Sequence, residues 1–281
     1  MTGYDMNDRR GWPDRRDILG MIAAFTGGAT RESFAETPTE DSGPPLLGAR
    51  ACLLTPEAIQ GPYYYDPKLV RCDIREKKTG VPILLRLQIV DQTCRPIAGA
   101  RVDVWHCDAA GLYSNYPGQG DNREQPINTI GESFLRGSQL ADDAGVATFK
   151  SIYPGWYPGR TPHIHFKAFI NDANVLTGQL FFPDALSEFI YRDIRPYSER
   201  RANRDTMNKD DFIAIGAGPG SFASVTEENQ RYLVTLVIGV DPAARSKASA
   251  NMSPEGLGSP PFGAPPLRGA KRGSPLVPGV D

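Results

Sequence analysis

Long apolar runs are missing from this chain of 281 residues, and so is any strong excess of one charge. No apolar stretch approaches the roughly 18 residues that a membrane-spanning helix needs, so we expect no membrane span. The formal net charge is −2, and no cluster of lysines and arginines forms a basic field. We therefore expect no nucleic-acid partner and no binding to an anionic membrane surface.

Cysteine is scarce as well, and the four cysteines form no Cys-x-x-Cys pair: Cys52, Cys72, Cys94 and Cys107. Their spacing argues against a zinc ribbon or a thioredoxin-type motif. By themselves they leave two alternatives open, which are disulfides in an exported protein and buried thiols in a cytosolic one.

The N-terminal segment favours export. Arg15-Arg16 precedes a short apolar stretch from Leu19 to Ala29, and Ser33-Phe34-Ala35 places small residues at −3 and −1 of a candidate cleavage site. This pattern is typical of a twin-arginine signal, which exports folded, cofactor-loaded proteins. The alternative is a leader that contains Arg-Arg by chance. We predict that residues 1–50 form a leader and linker.

Glycine and proline, by contrast, are abundant, with 29 and 25 residues, and such a turn-rich composition favours many short strands. Strand-like patterns occupy residues 83–90, 100–105, 146–152, 163–170, 178–182 and 232–240, and residues 187–198 are compatible with a short helix. We predict an all-β fold, an antiparallel two-sheet β-sandwich with long loops and little helix. The sandwich is expected to span residues 51–242, and an irregular Pro/Gly-rich tail residues 243–281.

Two of only three histidines stand two residues apart, as His163 and His165. On a strand such residues face the same side, roughly 6.5–7 Å apart, so both imidazoles can reach one metal ion. The intervening Ile164, and Phe166 after the pair, would then face the core. The pattern alone is also compatible with two half-buried histidines that bind no metal.

Aromatic and charged residues near the histidine pair strengthen the metal-site hypothesis. A rigid Pro/Gly loop at residues 153–162 presents Tyr157 and Arg160 just before the pair, and Tyr113 follows the end of an earlier strand. Taken singly, each tyrosine is more simply explained as a packing residue. Taken together, the tyrosines and histidines form a set of oxygen and nitrogen donors.

These segments, in this order, resemble the intradiol ring-cleavage dioxygenases, the family of the catechol and protocatechuate dioxygenases. The resemblance covers roughly Cys52 to Val240 and rests on several motifs: Leu54-Thr55-Pro56-Glu57, Gly61-Pro62-Tyr63-Tyr64, Trp105-His106 with Gly111-Leu112-Tyr113-Ser114, Phe134-Leu135-Arg136-Gly137, and Tyr157, Arg160, His163 and His165. It implies a prealbumin-like or protocatechuate-dioxygenase-like sandwich. The likeness is greatest to the single-chain, often secreted branch, whose cysteine positions match Cys52, Cys94 and Cys107 and favour disulfides.

The resemblance also implies one Fe(III) per chain, with Tyr113 and His163 as equatorial ligands and Tyr157 and His165 as axial ligands. Substrate would displace Tyr157. Ferric iron is a hard Lewis acid, and phenolate oxygens neutralise its charge better than imidazoles do.

Further roles follow from the same match. Arg160 corresponds to the arginine that steadies the bound substrate, and Gln179 to a polar residue over that substrate. His106 matches a histidine that is not an iron ligand, and we interpret it as a structural hydrogen-bonding residue.

The implied reaction opens the ring of a small aromatic diol with O2, gives a muconate-type diacid and needs no external reductant. The sequence leaves the particular diol open, and we predict that loops 61–75, 113–130 and 183–200 read its ring substituents. A homodimer is the default expectation. The long helical dimerisation segment of the catechol-specific branch has no counterpart in the pattern of residues 1–50.

Two other readings remain open from the sequence. A prealbumin-like binding module without catalytic activity would account for the Cys94–Ala100 turn and strand. A zinc hydrolase could use His163 and His165, with His106 as the third protein ligand that such a site requires. The zinc reading gives no reason for Tyr113 and Tyr157.

Overall fold

The computed structural model describes residues 53–122 and 124–248. The predicted leader with Arg15-Arg16, Cys52, and the tail from residue 249 lie outside these residues. The described residues form a β-sandwich, as predicted, with the strands β1 Pro82–Val90, β2 Arg101–Trp105, β3 Arg136–Leu140, β4 Val146–Ile152, β5 His163–Ile170, β6 Ala173–Phe181, β7 Ser224–Glu228 and β8 Arg231–Gly239.

The strands form two four-stranded sheets, with the orders β4-β1-β8-β7 and β3-β2-β5-β6. Neighbouring strands pair antiparallel except for β1 and β8, which run parallel with Leu85 opposite Val234. Parallel pairing needs a long connection rather than a hairpin. Here the whole second sheet lies between β1 and β8 in the chain, and it supplies that connection.

Helices are few and short, as expected. Helix α1 spans Asp184–Asp193, which begins before the predicted 187–198 segment, and a second helix, α2, spans Phe212–Ala217. Helix α2 was not predicted from the sequence. The side chain of Asp211 caps it by accepting hydrogen bonds from the backbone N–H groups of Ile213 at 2.8 Å and Ala214 at 3.2 Å.

Strand β5 shows how the core positions the site. Ile164, Phe166 and Ala168 are fully buried and face the apolar layer between the sheets, as expected for alternate residues of a strand. His163 and His165 therefore point to the opposite face of the sheet. They are buried there too, at 2 % and 1 % exposure, because the loops that precede β1 and follow β2 cover them.

The cysteines divide into two kinds. Cys94 is disulfide-bonded, in line with the resemblance, whereas Cys72 and Cys107 are free thiols. The disulfide expected at Cys107 is therefore not formed. Its side chain is instead enclosed by the aromatic rings of Tyr63, Trp105 and Tyr113.

The first residues of the predicted tail lie against the sandwich. The backbone N–H of Ser246 donates to the carbonyl of Asn174 at 2.9 Å, and the hydroxyls of Ser246 and Thr177 lie 2.9 Å apart. Residues 241–248 form no helix or strand. Among the described residues, the helices are all too short or too polar to cross a bilayer.

Candidate metal centre

Four polar side-chain atoms meet at the outer face of the sheet that contains β5. His163 Nε2 lies 3.1 Å from His165 Nε2, 3.2 Å from the hydroxyl oxygen of Tyr157 and 3.4 Å from that of Tyr113. The structure thus brings together all four side chains that the sequence singled out as metal ligands. They come from three separate segments of the chain, so their meeting depends on the tertiary fold.

Tyrosine 113 is positioned by its own loop. The side-chain oxygen of Gln119 accepts a hydrogen bond from the Tyr113 backbone N–H at 2.7 Å, and the Gln119 amide donates to the Tyr113 carbonyl at 2.8 Å. The ring of Tyr63 stacks on the Tyr113 ring with 4.2 Å between centroids and an interplanar angle of 9°. Tyr113 is fully buried as a result.

Tyrosine 157 depends on the Pro/Gly loop before it. A Cβ atom at Gly155 would lie 2.4 Å from the carbonyl oxygen of Asp108, so only glycine lets the loop pass so close to the segment after β2. Unlike Tyr113 and the two histidines, Tyr157 is partly exposed. The centre therefore opens towards solvent on the Tyr157 side.

The proton on His163 can be assigned from its neighbours. Its Nδ1 lies 2.7 Å from the carbonyl oxygen of Thr161, which can only accept, so Nδ1 carries the hydrogen and donates it. In the neutral ring, Nε2 then presents its lone pair to the centre. His165 stacks on Trp105 at 4.8 Å, and its buried Nδ1 has no hydrogen-bond partner among the described residues.

Burial keeps all four groups neutral in the absence of a cation. It lowers the pKa values of His163 and His165 well below the usual range. It raises the pKa of Tyr113 well above its usual value and that of Tyr157 to about 12, although the Arg160 guanidinium opposes both increases. Without a bound cation, the centre is therefore two phenols and two uncharged imidazoles.

This donor set suits a metal ion better than it suits internal hydrogen bonding. The single lone pair on His163 Nε2 cannot accept full hydrogen bonds from Tyr113, Tyr157 and His165 at once. One cation among the four atoms would satisfy all of them, since each can present a lone pair once the phenols ionise. Two phenolate oxygens favour a hard, highly charged ion such as Fe(III).

Arg160 lies beside the centre and is held on several sides. Its Nε donates to the carboxylate of Asp211 at 2.8 Å, its Nη2 to the side-chain oxygen of Gln179 at 2.5 Å, and its Nη1 to the Tyr157 hydroxyl at 3.4 Å. Gln179 is fixed in turn because its amide donates to the Ile59 carbonyl at 2.9 Å. Burial disfavours the charged guanidinium, but Tyr157 and Asp211 outweigh burial and raise the pKa of Arg160.

Sequence reasoning missed Asp211. Its fully buried carboxylate accepts from Arg160 and from the backbone N–H of Thr161 at 3.0 Å, while also capping α2. An aspartate just before an apolar hexapeptide is a helix-start signal that could have located α2. Nothing in the sequence links that helix to Arg160, which lies 51 residues earlier.

His106 is a structural residue, as predicted. Its Nδ1 lies 2.8 Å from the Cys107 carbonyl oxygen and its Nε2 2.7 Å from the Ser151 hydroxyl, so protein partners use both ring nitrogens. It is therefore not available as the third ligand of a zinc site. Within residues 53–122 and 124–248, no three His, Cys, Asp or Glu side chains lie close enough to hold a metal.

Comparisons with known proteins agree with the fold. The family model described as dioxygenase matches residues 59–202, just over half of the chain. The chain is 32 % identical over 108 residues to catechol 1,2-dioxygenase of Pseudomonas sp. strain EST1001, and 33 % identical over 109 residues to that of Candida albicans. Each alignment covers 37 % of this chain and about a third of the relative, 32 % and 33 % respectively.

A solved structure gives a fuller match. The intradiol ring-cleavage dioxygenase from Tetranychus urticae superposes with a TM-score of 0.64 and 32 % sequence identity, over 70 % of this chain and 98 % of that one. The family model and this structure together identify the chain: it belongs to the intradiol ring-cleavage dioxygenase family.

Proposed function

We propose that the protein is an Fe(III)-dependent intradiol dioxygenase that opens the ring of a catechol-type diol with O2. The observation that carries the proposal is the meeting of two tyrosine oxygens and two histidine nitrogens next to Arg160, whose side chain is 11 % exposed. Tyr113, Tyr157, His163 and His165 would hold one iron per chain. When bound, ferric iron supplies Lewis acidity and the electron exchange that lets a closed-shell diol react with O2.

The overall reaction balances without a reductant. The carbon–carbon bond between the two hydroxyl-bearing ring carbons breaks, and both atoms of O2 enter the product, a muconate-type diacid. The diol must lose its hydroxyl protons before this can happen. Tyr157 would take one of them, because its side chain is partly exposed beside the centre and an ionised phenolate there is a base.

Arg160 supplies fixed positive charge where the deprotonated diol gathers negative charge. Its contacts with Asp211 and Gln179 hold the guanidinium in one orientation before substrate arrives, so little reorganisation is needed during reaction. Gln179 acts through Arg160 and through the loop carbonyl of Ile59. The ring of Tyr63 stacks on the ring of Tyr113 and keeps water away from that side of the centre.

The test combines metal analysis with a visible spectrum and an oxygen electrode. Purified protein reconstituted with ferric iron should bind one iron per chain, show a tyrosinate-to-iron colour, and consume one O2 per catechol. Tyr113→Phe should weaken iron binding and bleach the colour. Tyr191→Phe is the matched control, because it removes a partly buried hydroxyl that donates to the Pro154 carbonyl at 2.9 Å, away from the centre.

A pale protein that takes up no iron would contradict the proposal and favour a prealbumin-like binding module. We also propose that the protein acts as a homodimer, which light scattering of the purified chain would test. A monomeric mass at micromolar concentration would contradict that part alone.

A further inference from the structure

A small cleft with a volume of about 10 Å³, room for one water-sized group, lies beside Tyr157 and is also lined by Tyr63. Its walls come from all three loops that the sequence suggested as readers of the substrate. Arg200 and Asp121 supply the charges among the described lining residues. A diol bound at Tyr157 would direct its ring substituents into this cleft.

Arg200 is a fixed element of the cleft wall. Its side chain is only 8 % exposed, its Nη1 donates to the Trp156 carbonyl at 2.5 Å, and its guanidinium lies 4.0 Å from the centroid of the Trp156 ring. Its Nε and Nη2 donate to the Asp121 carboxylate at 3.2 and 2.6 Å. Asp121 is 35 % exposed and therefore has room to accept from a ligand as well.

The other walls offer a substituent little polarity. Besides the hydroxyls of Tyr63 and Tyr157, the other polar side chain there is Gln119, which uses its amide on the Tyr113 and Tyr116 carbonyls and its oxygen on the Tyr113 N–H. Gly111 leaves no space for a side chain, because a Cβ there would lie 2.2 Å from the Trp156 carbonyl oxygen. Among the described lining residues, Arg200 and Asp121 are the charged groups that can recognise a polar substituent.

We propose that Arg200 and Asp121 read the ring substituent and select diols that carry a further hydroxyl group. This inference rests on the proposed function, since it needs a diol bound at Tyr157. A hydroxyl can accept from a remaining N–H of Arg200 and donate to Asp121 at once, whereas a methyl group makes neither bond and shields the remaining donor and acceptor positions of the pair from water. A carboxylate pairs with Arg200 but is repelled by Asp121.

The experiment measures dissociation constants on the iron-loaded protein without O2, using the colour change on binding. The ligands are 1,2,4-trihydroxybenzene, its near-isostere 4-methylcatechol, and 3,4-dihydroxybenzoate. Asp121→Ala should lower the affinity ratio of the hydroxyl ligand to the methyl ligand about tenfold, as expected for one lost buried hydrogen bond. It should raise the ratio of the carboxylate ligand to the methyl ligand by a similar factor, because Arg200 loses its internal partner.

Changes of opposite sign separate recognition from general damage, which would weaken all three ligands together. Arg200→Met should lower both affinity ratios, that of the hydroxyl ligand and that of the carboxylate ligand to the methyl ligand. If the Arg200→Met protein fails to fold, the result for Asp121→Ala is sufficient to test the inference. Asp73→Ala is the matched control, since it removes a carboxylate paired with Arg75 at 2.6 Å on the surface and should leave both ratios unchanged.

Ratios for Asp121→Ala that stay within about twofold of wild type, or that move together, would overturn the inference while leaving the proposed function intact. Failure of the proposed function looks different. In that case the wild-type protein would show no colour change with any of the three diols, and this inference would fall with it.

Discussion

Replacing Asp211 by asparagine tests whether one buried carboxylate organises the polar side of the centre. The change keeps the size of the side chain and one oxygen that can continue to cap α2. It removes the negative charge that faces Arg160 Nε at 2.8 Å, and it places an amide near the backbone N–H of Thr161. Two donors then face each other, and Arg160 loses its ion pair with Asp211.

The loss of folding stability expected for Asp211→Asn follows from the burial of the ion pair. The Asp211 and Arg160 side chains are 0 % and 11 % exposed, and breaking a buried ion pair costs about 3–5 kcal/mol. Arg160 keeps its hydrogen bonds to Gln179 and Tyr157, so we expect the lower end, about 3 kcal/mol. Asp211→Ala should lose a further ~1 kcal/mol, because it also removes the helix cap.

Urea unfolding of the metal-free protein measures this loss independently of iron. On the iron-loaded protein, kcat should fall by roughly tenfold or more with a smaller change in KM, because Arg160 is no longer held in one orientation. Asp73→Asn on the surface should cost well under about 1 kcal/mol and leave kcat unchanged. An Asp211→Asn protein that loses less than ~1 kcal/mol and keeps its kcat would refute the assigned role.

Three further predictions address separate parts of the fold. Arg160→Ala should retain iron and colour but lose most turnover, which metal analysis and an oxygen electrode would measure together; full activity would contradict its role. Burial lowers the pKa of His106 from 6.5 to about 4, so the unfolded chain binds the proton more readily. Stability from neutral His106 is complete above pH 6.5 and declines towards pH 4 by on the order of 3 kcal/mol, and His106→Gln should flatten that decline in urea titrations. Gly178→Ala should destabilise the sandwich by about 1–3 kcal/mol in the same assay, since its Cβ would lie 2.3 Å from the Phe166 ring; an unchanged midpoint would show that the ring moves aside freely.

Strand β5 was predictable because two independent regularities coincide in it. Alternate apolar residues mark the buried face, and two of three histidines in the chain mark the other face. The structure begins and ends this strand at His163 and Ile170, as the pattern indicated. The ligand set could be anticipated for a related reason, since Tyr113 and Tyr157 stand in ordered motifs around the same histidines.

Strands β3 and β7 were not predictable from apolar patterning. Their sequences, Arg-Gly-Ser-Gln-Leu and Ser-Val-Thr-Glu-Glu, hold few apolar residues. In β3 the buried residues are Arg136, Gly137 and Ser138, so burial there leaves no apolar pattern, whereas β7 is largely exposed at a sheet edge. The parallel pairing of β1 with β8 was also not predictable, because the sequence of a strand does not indicate whether its neighbour runs parallel or antiparallel to it.

At the site, the contacts of Asp211 and Arg200 were likewise not predictable from the sequence. Both act through contacts with residues far along the chain, namely Arg160 for Asp211 and Asp121 for Arg200. Local patterns carry capping signals and strand periods, but they carry no signal for an ion pair closed by tertiary folding. Cys107 is a similar case, since a buried thiol among aromatic rings and a disulfide half look alike in sequence.

The two tyrosines of the centre differ in one physical property that bears on their separate roles. Tyr113 is sealed beneath the ring of Tyr63 and held by Gln119, so releasing its oxygen from a metal would require the covering loop to move. Tyr157 is partly exposed, lines the cleft, and has the Arg160 guanidinium 3.4 Å from its oxygen. A ligand that must leave for an incoming diol and then carry a proton needs solvent access and a nearby positive charge. On these grounds we propose that Tyr157 would be the exchangeable ligand and Tyr113 the permanent one. Tyr157→Phe should therefore retain iron and part of the colour, whereas Tyr113→Phe should lose both, and equal iron loss in the two variants would contradict the division.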